Sequence, residues 1–238
     1  MKRYCLILLL PFLYLSALAA DFTQAEQSYR EGHFAAALGQ YEQLLQNYPN
    51  DPHLYYNIGN CYFKMGSKGL AIANYYRAFR LAPRDTDIRH NLGLALAQAG
   101  ERLVPSGVPE ILHVAFFWLT AAELKASLSI IWWLFCLATA VWLLKHRYGK
   151  VVFSLAIALA LVATWYILRQ QGDATHLAVV APPVAELRSG PGTNFPASAN
   201  ISQGHLLLLQ DSRDNWQEVV VKSQGIKGWM NAADLENI

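Results

Sequence analysis

Residues 55–83 read YYNIGNCYFKMGSKGLAIANYYRAFRLAP, and this stretch decides the fold because its pattern recurs along the chain. Shifted by 34 residues, Gly32 falls on Gly66, Ala37 on Ala71, Tyr41 on Tyr75 and Pro49 on Pro83. A weaker third copy opens at Asn91-Leu92-Gly93, aligned with Asn57-Ile58-Gly59, and Gly100 falls on Gly66. Such a period belongs to stacked helix pairs, none of which buries its apolar face alone. Within a unit, Gly59 and Ala71 let two antiparallel helices approach closely, and Tyr62 and Tyr75 fill the space between units. Pro83 ends the second helix because it has no N–H to donate.

The pattern resembles the tetratricopeptide repeat (TPR). That family's eight signature positions read Tyr55, Ile58, Gly59, Tyr62, Ala71, Tyr75, Ala78 and Pro83 here, with Tyr and Ile replacing the commoner Trp and Leu. The first unit departs from the pattern, with Gln24 and Ser28 where large apolar residues are expected, and Pro105 stands where a third unit's second helix should be packed. The repeats therefore cover residues 21–104 as about two and a half units, and the third helix is expected to cap the solenoid. The resemblance implies binding of a peptide or protein on the concave face of the first helices. Asn57, Asn60, Lys64, Arg84 and Asn91 are the candidates by position, although each taken singly also reads as an ordinary solvated residue. Some family members clamp a C-terminal carboxylate with lysines and asparagines. Phe22, Glu26 and Asp87 occupy three of those positions in this chain, so that clamp is not implied.

Composition points to a membrane. Of the 238 residues, 54% are hydrophobic and only 15% charged, against about 25% charged in soluble domains. The mean hydropathy is only mildly positive, so soluble parts dilute a few intensely apolar segments. The formal charge of +2 is spread without any dense basic field, which excludes nucleic acid as the partner. Residues 1–20 read as a secretory signal peptide: Lys2 and Arg3, then an apolar run from Leu6 to Leu15, then Ala17-Leu18-Ala19. The alternative is an uncleaved anchor helix, and both readings place residue 21 onward outside the cytoplasm. Cys5 precedes the apolar run, too early for a lipid acceptor, and Cys61 and Cys136 have no metal or redox spacing; both read as small buried packing residues.

Two uncharged runs follow, Ala126–Leu144 and Val151–Leu168, each close to the length that about 30 Å of hydrocarbon demands of a helix. Their linker, residues 145–150, carries Lys145, Arg147 and Lys150, and short basic loops stay in the cytoplasm. Trp132, Trp133, Trp142, Trp165 and Tyr166 are expected toward the span ends, in the headgroup zone. Residues 105–125 are a linker whose Glu110–Lys125 part reads either as an interfacial helix or as a helical extension leading into the membrane. With no ionisable residue inside either run, the hairpin reads as an anchor rather than a transport path.

After a second linker, 169–177, the pattern turns to short strands separated by Gly-, Pro- and Ser-rich turns. Residues 178–238 resemble the bacterial SH3 (SH3b) domain: Leu187-Arg188-Ser189-Gly190-Pro191-Gly192-Thr193-Asn194-Phe195 matches its arginine–serine–glycine–proline signature, followed in order by Gly204, Asn215-Trp216 and Gly228-Trp229-Met230. The resemblance implies a small all-β barrel that binds peptides, often of the cell wall, in an aromatic groove. Phe195, Trp216 and Trp229 are the groove candidates, with Trp216 and Trp229 reading equally well as core.

The fold class expected is thus a multi-domain membrane protein: a TPR solenoid, a transmembrane hairpin over 126–168 and an SH3b barrel. The seven histidines are scattered singly, and no metal, nucleophile-elbow or phosphate-loop motif occurs, so no catalysis, metal or cofactor is expected. The ordered set resembles the BatE proteins of the Bacteroides aerotolerance operon, most strongly over Arg84–Leu92 and Leu187–Phe195. That resemblance implies partners among von Willebrand A-type membrane proteins and a MoxR-type ATPase, a link to oxidative-stress tolerance, and a bacterial inner membrane with both soluble modules on the periplasmic side. Two functions compete: a scaffold whose repeats hold a protein partner, and an envelope sensor or tether whose SH3b domain holds peptidoglycan.

Overall fold

The structure, a computed structural model, describes residues 22–174 and 176–238; the expected signal peptide lies outside the described residues. Residues up to Pro105 together with Leu177–Ile238 make one unit, and Ser106–His176 make a second.

The first unit opens with five antiparallel helices: α1 (22–30), α2 (Phe34–Asn47), α3 (Pro52–Lys64), α4 (Lys68–Leu81) and α5 (Thr86–Gln98). The repeat period is written into their ends. Gly32, Gly66 and Gly100 have φ of +83°, +82° and +74°, a conformation that costs a residue with a β-carbon. At each, the next residue's N–H reaches back to close a Schellman turn: His33 to the Ser28 carbonyl, Ser67 to Tyr62 and Glu101 to Leu96, at 2.9, 2.9 and 2.8 Å. Asp51 and Asp85, again one period apart, cap α3 and α5 by accepting from the His53 N–H and from the Asp87 and Ile88 N–H groups. Between the helices, a β-carbon on Gly59 would lie 2.7 Å from the Tyr75 ring, so the tyrosine takes the space that the glycine leaves. Ala25, Ala37, Tyr41, Leu44, Leu54, Ile58 and Cys61 form the first repeat core.

The C-terminal part is a seven-stranded antiparallel sheet: β1 (Leu177–Val180), β2 (Val184–Arg188), β3 (Ala197–Ser202), β4 (Leu206–Arg213), β5 (Trp216–Val221), β6 (Lys227–Asn231) and β7 (Leu235–Asn237). Their order is β3-β2-β6-β5-β4-β1-β7. Strand alternation sends Ala185 and Leu187 inward, where they join Ala178, Val180, Ile201 and Leu207 in the core. The sheet is not closed into the expected barrel: among the described residues no ladder joins β3 to β7. Strand β7 lies along α4 instead, where Arg77 and Arg80 donate to the Asn237 and Ile238 carbonyls and Arg77 also pairs with Glu236.

The repeats and the sheet are therefore one body. Strand β1 packs against α4. Val179 and Leu206, directly opposite each other in the ladder, are fully buried on the face away from the sheet's own core. The third unit has no second helix after Gly100; the flank of α4 that such a helix would cover receives the sheet. Capping is thus shared between α5 and a β-module distant in sequence.

In the second unit, α6 (Glu110–Phe117) is a helix of its own, and α7 (Ala121–Lys145) and α8 (Gly149–Ala174) form a hairpin. A capping box in which Thr120 and Glu123 satisfy each other's backbone N–H groups starts α7, so the segment does not run into α7 as a continuous extension. Both long helices are apolar and long enough to cross a membrane by length and composition. They extend past the uncharged runs at both ends, which places Trp132 and Trp133 near the middle of α7 rather than toward its end. His146 and Tyr148, at φ +48° and +71°, make the turn between α7 and α8.

Candidate partner-binding cavity on the repeat helices

Helix α3 presents Tyr56, Asn60, Phe63 and Lys64 at spacings that bring them onto one face. With Tyr29 of α1, Tyr75 of α4 and Asn91 and Leu94 of α5, they line a cavity of about 430 Å³. Three first-of-pair helices thus contribute to one concave site, with α4 supplying its floor.

A hydrogen-bonded chain crosses the site. The Tyr75 hydroxyl donates to Asn60 Oδ1 at 2.7 Å, and Asn91 Nδ2 donates to the same oxygen at 3.1 Å and to the Tyr56 hydroxyl at 2.9 Å. Tyr75 is 1% exposed, and burial pushes its hydroxyl well above the ordinary tyrosine value, with Tyr56 and Tyr29 adding to the effect. Burial also raises Tyr29, with smaller contributions from Cys61 and Tyr56. The Tyr75 hydroxyl is therefore held protonated and acts as a neutral donor. Asn60 uses its oxygen inward, which leaves its NH₂; Asn91 uses its NH₂ inward, which leaves its oxygen. Among the described residues neither remaining group has a hydrogen-bond partner. One donor and one acceptor, set among aromatic rings, is what a peptide unit of an extended chain requires. Lys64 is the one charged lining residue and is exposed.

Of the residues expected at a partner site, Asn60, Lys64 and Asn91 come together here, while Asn57 and Arg84 lie outside the lining. Asn57 is one position past Tyr56 and so turns off its face; Arg84 precedes the cap of α5. Sequence reasoning passed over Tyr29, Tyr56, Phe63 and Leu94. The spacing of Tyr56, Asn60 and Phe63 already puts them on one helical stripe and was the available signal. Cys61 lies behind the site, fully buried, and burial pushes its thiol up to about 11, so it is held protonated.

The three aromatic candidates of the β-module do different things. Phe195 is 43% exposed and lies over Gly190, where a β-carbon would meet its ring at 2.5 Å. Arg188 holds that loop by donating to the Thr193 and Phe195 carbonyls. Trp229 is buried, with the Arg213 guanidinium 5.4 Å from its ring centre, and Trp216 is half-buried where β5 begins.

Known proteins resemble parts of this chain. Tetratricopeptide repeat protein 16 of Homo sapiens and of Macaca fascicularis is 29% identical over 76 residues, which is 32% of this chain; the chain spans 9% of the length of these relatives. The translocator chaperone SycD of Yersinia enterocolitica aligns at a TM-score of 0.35 and 17% identity, covering 66% of this chain and 87% of that one. The first TPR of Spaghetti (RPAP3) bound to an HSP90 peptide aligns at 0.32 and 15%, covering 60% and 95%. Residues 52–85, which hold α3 and α4, match the sequence model of the tetratricopeptide repeat family.

Proposed function

We propose that the protein is a membrane-anchored scaffold that holds an extended segment of a protein partner in the cavity between α1, α3 and α5. The observation that carries this reading is the Asn60–Asn91 pair. Its inward hydrogen bonds fix both amides, and its outward donor and acceptor match one peptide unit. Tyr29, Tyr56 and Phe63 supply apolar walls for a side chain of the ligand. Anchoring rests on α7 and α8, whose side chains are widely exposed: Trp133 73%, Leu144 83%, Phe153 69%. Apolar surface on that scale is costly in water and favourable in hydrocarbon.

The basic 145–150 loop supports a cytoplasmic turn, with both soluble parts on the extracytoplasmic side of a bacterial inner membrane. The BatE resemblance extends the proposal to complexes with von Willebrand A-type membrane proteins and a MoxR-type ATPase in oxidative-stress tolerance. The tether reading, with peptidoglycan on an SH3b groove, draws on exposed Phe195, but buried Trp229 offers such a groove no open ring face. No catalytic role enters either reading.

A photo-crosslinking side chain at Leu94, which is 45% exposed at the cavity, tests the scaffold. A discrete adduct in cells, lost in Asn60→Ala and Asn91→Ala, is expected. Adducts unchanged by both substitutions would remove the cavity from the function.

A further inference from the structure

Helix α6 has one partnered face and one open face. His113, Phe116 and Phe117 fall on the same side, and that side meets α8. There, Trp165 Nε1 donates to the Phe116 carbonyl at 3.1 Å, and the Arg169 guanidinium lies 4.4 Å from the Phe117 ring centre and 5.8 Å from that of Phe116. Arg169 is only 2% exposed. On the other side, Ile111, Leu112 and Trp118 are 76%, 59% and 53% exposed, with exposed Ala115 among them. At 3.6 residues per turn these four occupy an arc of about 120°. No charged side chain lies within it, so nothing in the arc selects an oppositely charged protein surface.

The height of α6 along the hairpin is set by its contacts. Trp165 and Arg169 bracket Leu168, where the uncharged run of α8 ends. In a spanning hairpin this is the level at which hydrocarbon gives way to headgroups, and where indole rings and the ends of arginines are favoured. We propose that α6 lies in the headgroup–acyl boundary of a phospholipid bilayer, with Ile111, Leu112 and Trp118 inserted into lipid. Arg169 is the positioning residue that fixes its depth through the Phe116 and Phe117 rings. The proposal rests on the membrane-anchor reading and adds a lipid surface to it. It distinguishes α6 from a loose linker between the repeats and the hairpin.

The test uses the full-length wild-type chain in vesicles of phosphatidylcholine and phosphatidylglycerol. The vesicles are doped with a phospholipid carrying a photoreactive diazirine either beside the glycerol or at the acyl-chain end, and adducts are mapped by mass spectrometry. The glycerol-level probe should label residues 110–118, the chain-end probe should not, and the chain-end probe should label α7 around Leu137. Labelling of α7 with none on α6, as when a protein or second copy covers the arc, overturns the α6 proposal and leaves the anchor standing. Chain-end labelling of α6 as strong as that of Leu137 overturns it as well. If neither helix is labelled, the anchor reading fails and takes the proposal with it. In Arg169→Ala, glycerol-level labelling of α6 should fall by about threefold while α7 labelling holds; no change rejects the positioning role.

Discussion

Gly69 of α4 stands directly against the Val180 carbonyl of β1: a β-carbon built there would lie 2.1 Å from that oxygen and 3.0 Å from its carbon. Helix and strand meet backbone to backbone, and the atoms in the way are main-chain atoms that cannot rotate aside. Gly69→Ala should therefore push the sheet off α4 and destabilise the unit by about 1–3 kcal/mol, as overpacking does. Calorimetry of the full chain in detergent should show a Tm lower by roughly 2–4 °C for each kcal/mol lost. A wild-type melt would mean that the two parts do not fold as one body.

The Asn60 side chain serves two partners at once, the Tyr75 hydroxyl and Asn91 Nδ2. Asn60→Ala leaves the buried Tyr75 hydroxyl without its acceptor and should cost about 1–3 kcal/mol. Tyr75→Phe removes the stranded donor, so the double variant should recover part of that loss. Denaturant titration of the four proteins gives the coupling between them. Additive single effects would show that the chain of hydrogen bonds contributes nothing of its own.

How far the sequence reveals this arrangement depends on what repeats. Gly32, Gly66 and Gly100 were legible because a left-handed helix end recurs every period and leaves a glycine each time. The cavity was half legible. Asn60, Lys64 and Asn91 stood out as polar residues on first helices, while Tyr56 and Phe63 drew no reading, because an aromatic residue on a repeat helix serves packing as readily as binding. The docked sheet was not legible by period, since it answers to a contact that occurs once. Its trace is a broken repeat: one period before Gly69 stands Ala35, which is exposed, whereas Gly69 is buried. The open sheet follows from the same contact, because α4 occupies the side of β7 along which Arg77 and Arg80 reach its carbonyls.

Tyrosine burial predicts an alkaline limit to stability. Burial is the main cause that pushes the Tyr41 and Tyr62 hydroxyls up to about 12, and it raises Tyr75 as well. Unfolded tyrosines ionise near pH 10. Below that pH both states hold the protons and the full stability is present. Above it the unfolded chain binds fewer protons than the folded one, so stability falls as pH rises from about 10 toward the folded values. Tyrosinate absorbance and far-ultraviolet circular dichroism should change together in that window. Ionisation of all tyrosines near pH 10, with the helices intact, would contradict this burial.

Glu101 closes the junction from the other side. Its carboxylate is 5% exposed, accepts from His205 Nδ1 at 2.9 Å, and takes a longer hydrogen bond from the Leu206 N–H at 3.4 Å. Because Leu206 is itself fully buried, removing the carboxylate leaves a main-chain donor without water or partner. Glu101→Ala should cost about 1–3 kcal/mol on that ground alone. Glu101→Gln keeps an acceptor oxygen in place and should lose less, the difference measuring what the charge adds. His205→Ala, by contrast, leaves the Leu206 bond intact. Urea denaturation of the three variants should rank them with Glu101→Ala least stable. If Glu101→Gln falls as far as Glu101→Ala, the contact with His205, and not the buried N–H, holds this edge of the sheet to the repeats.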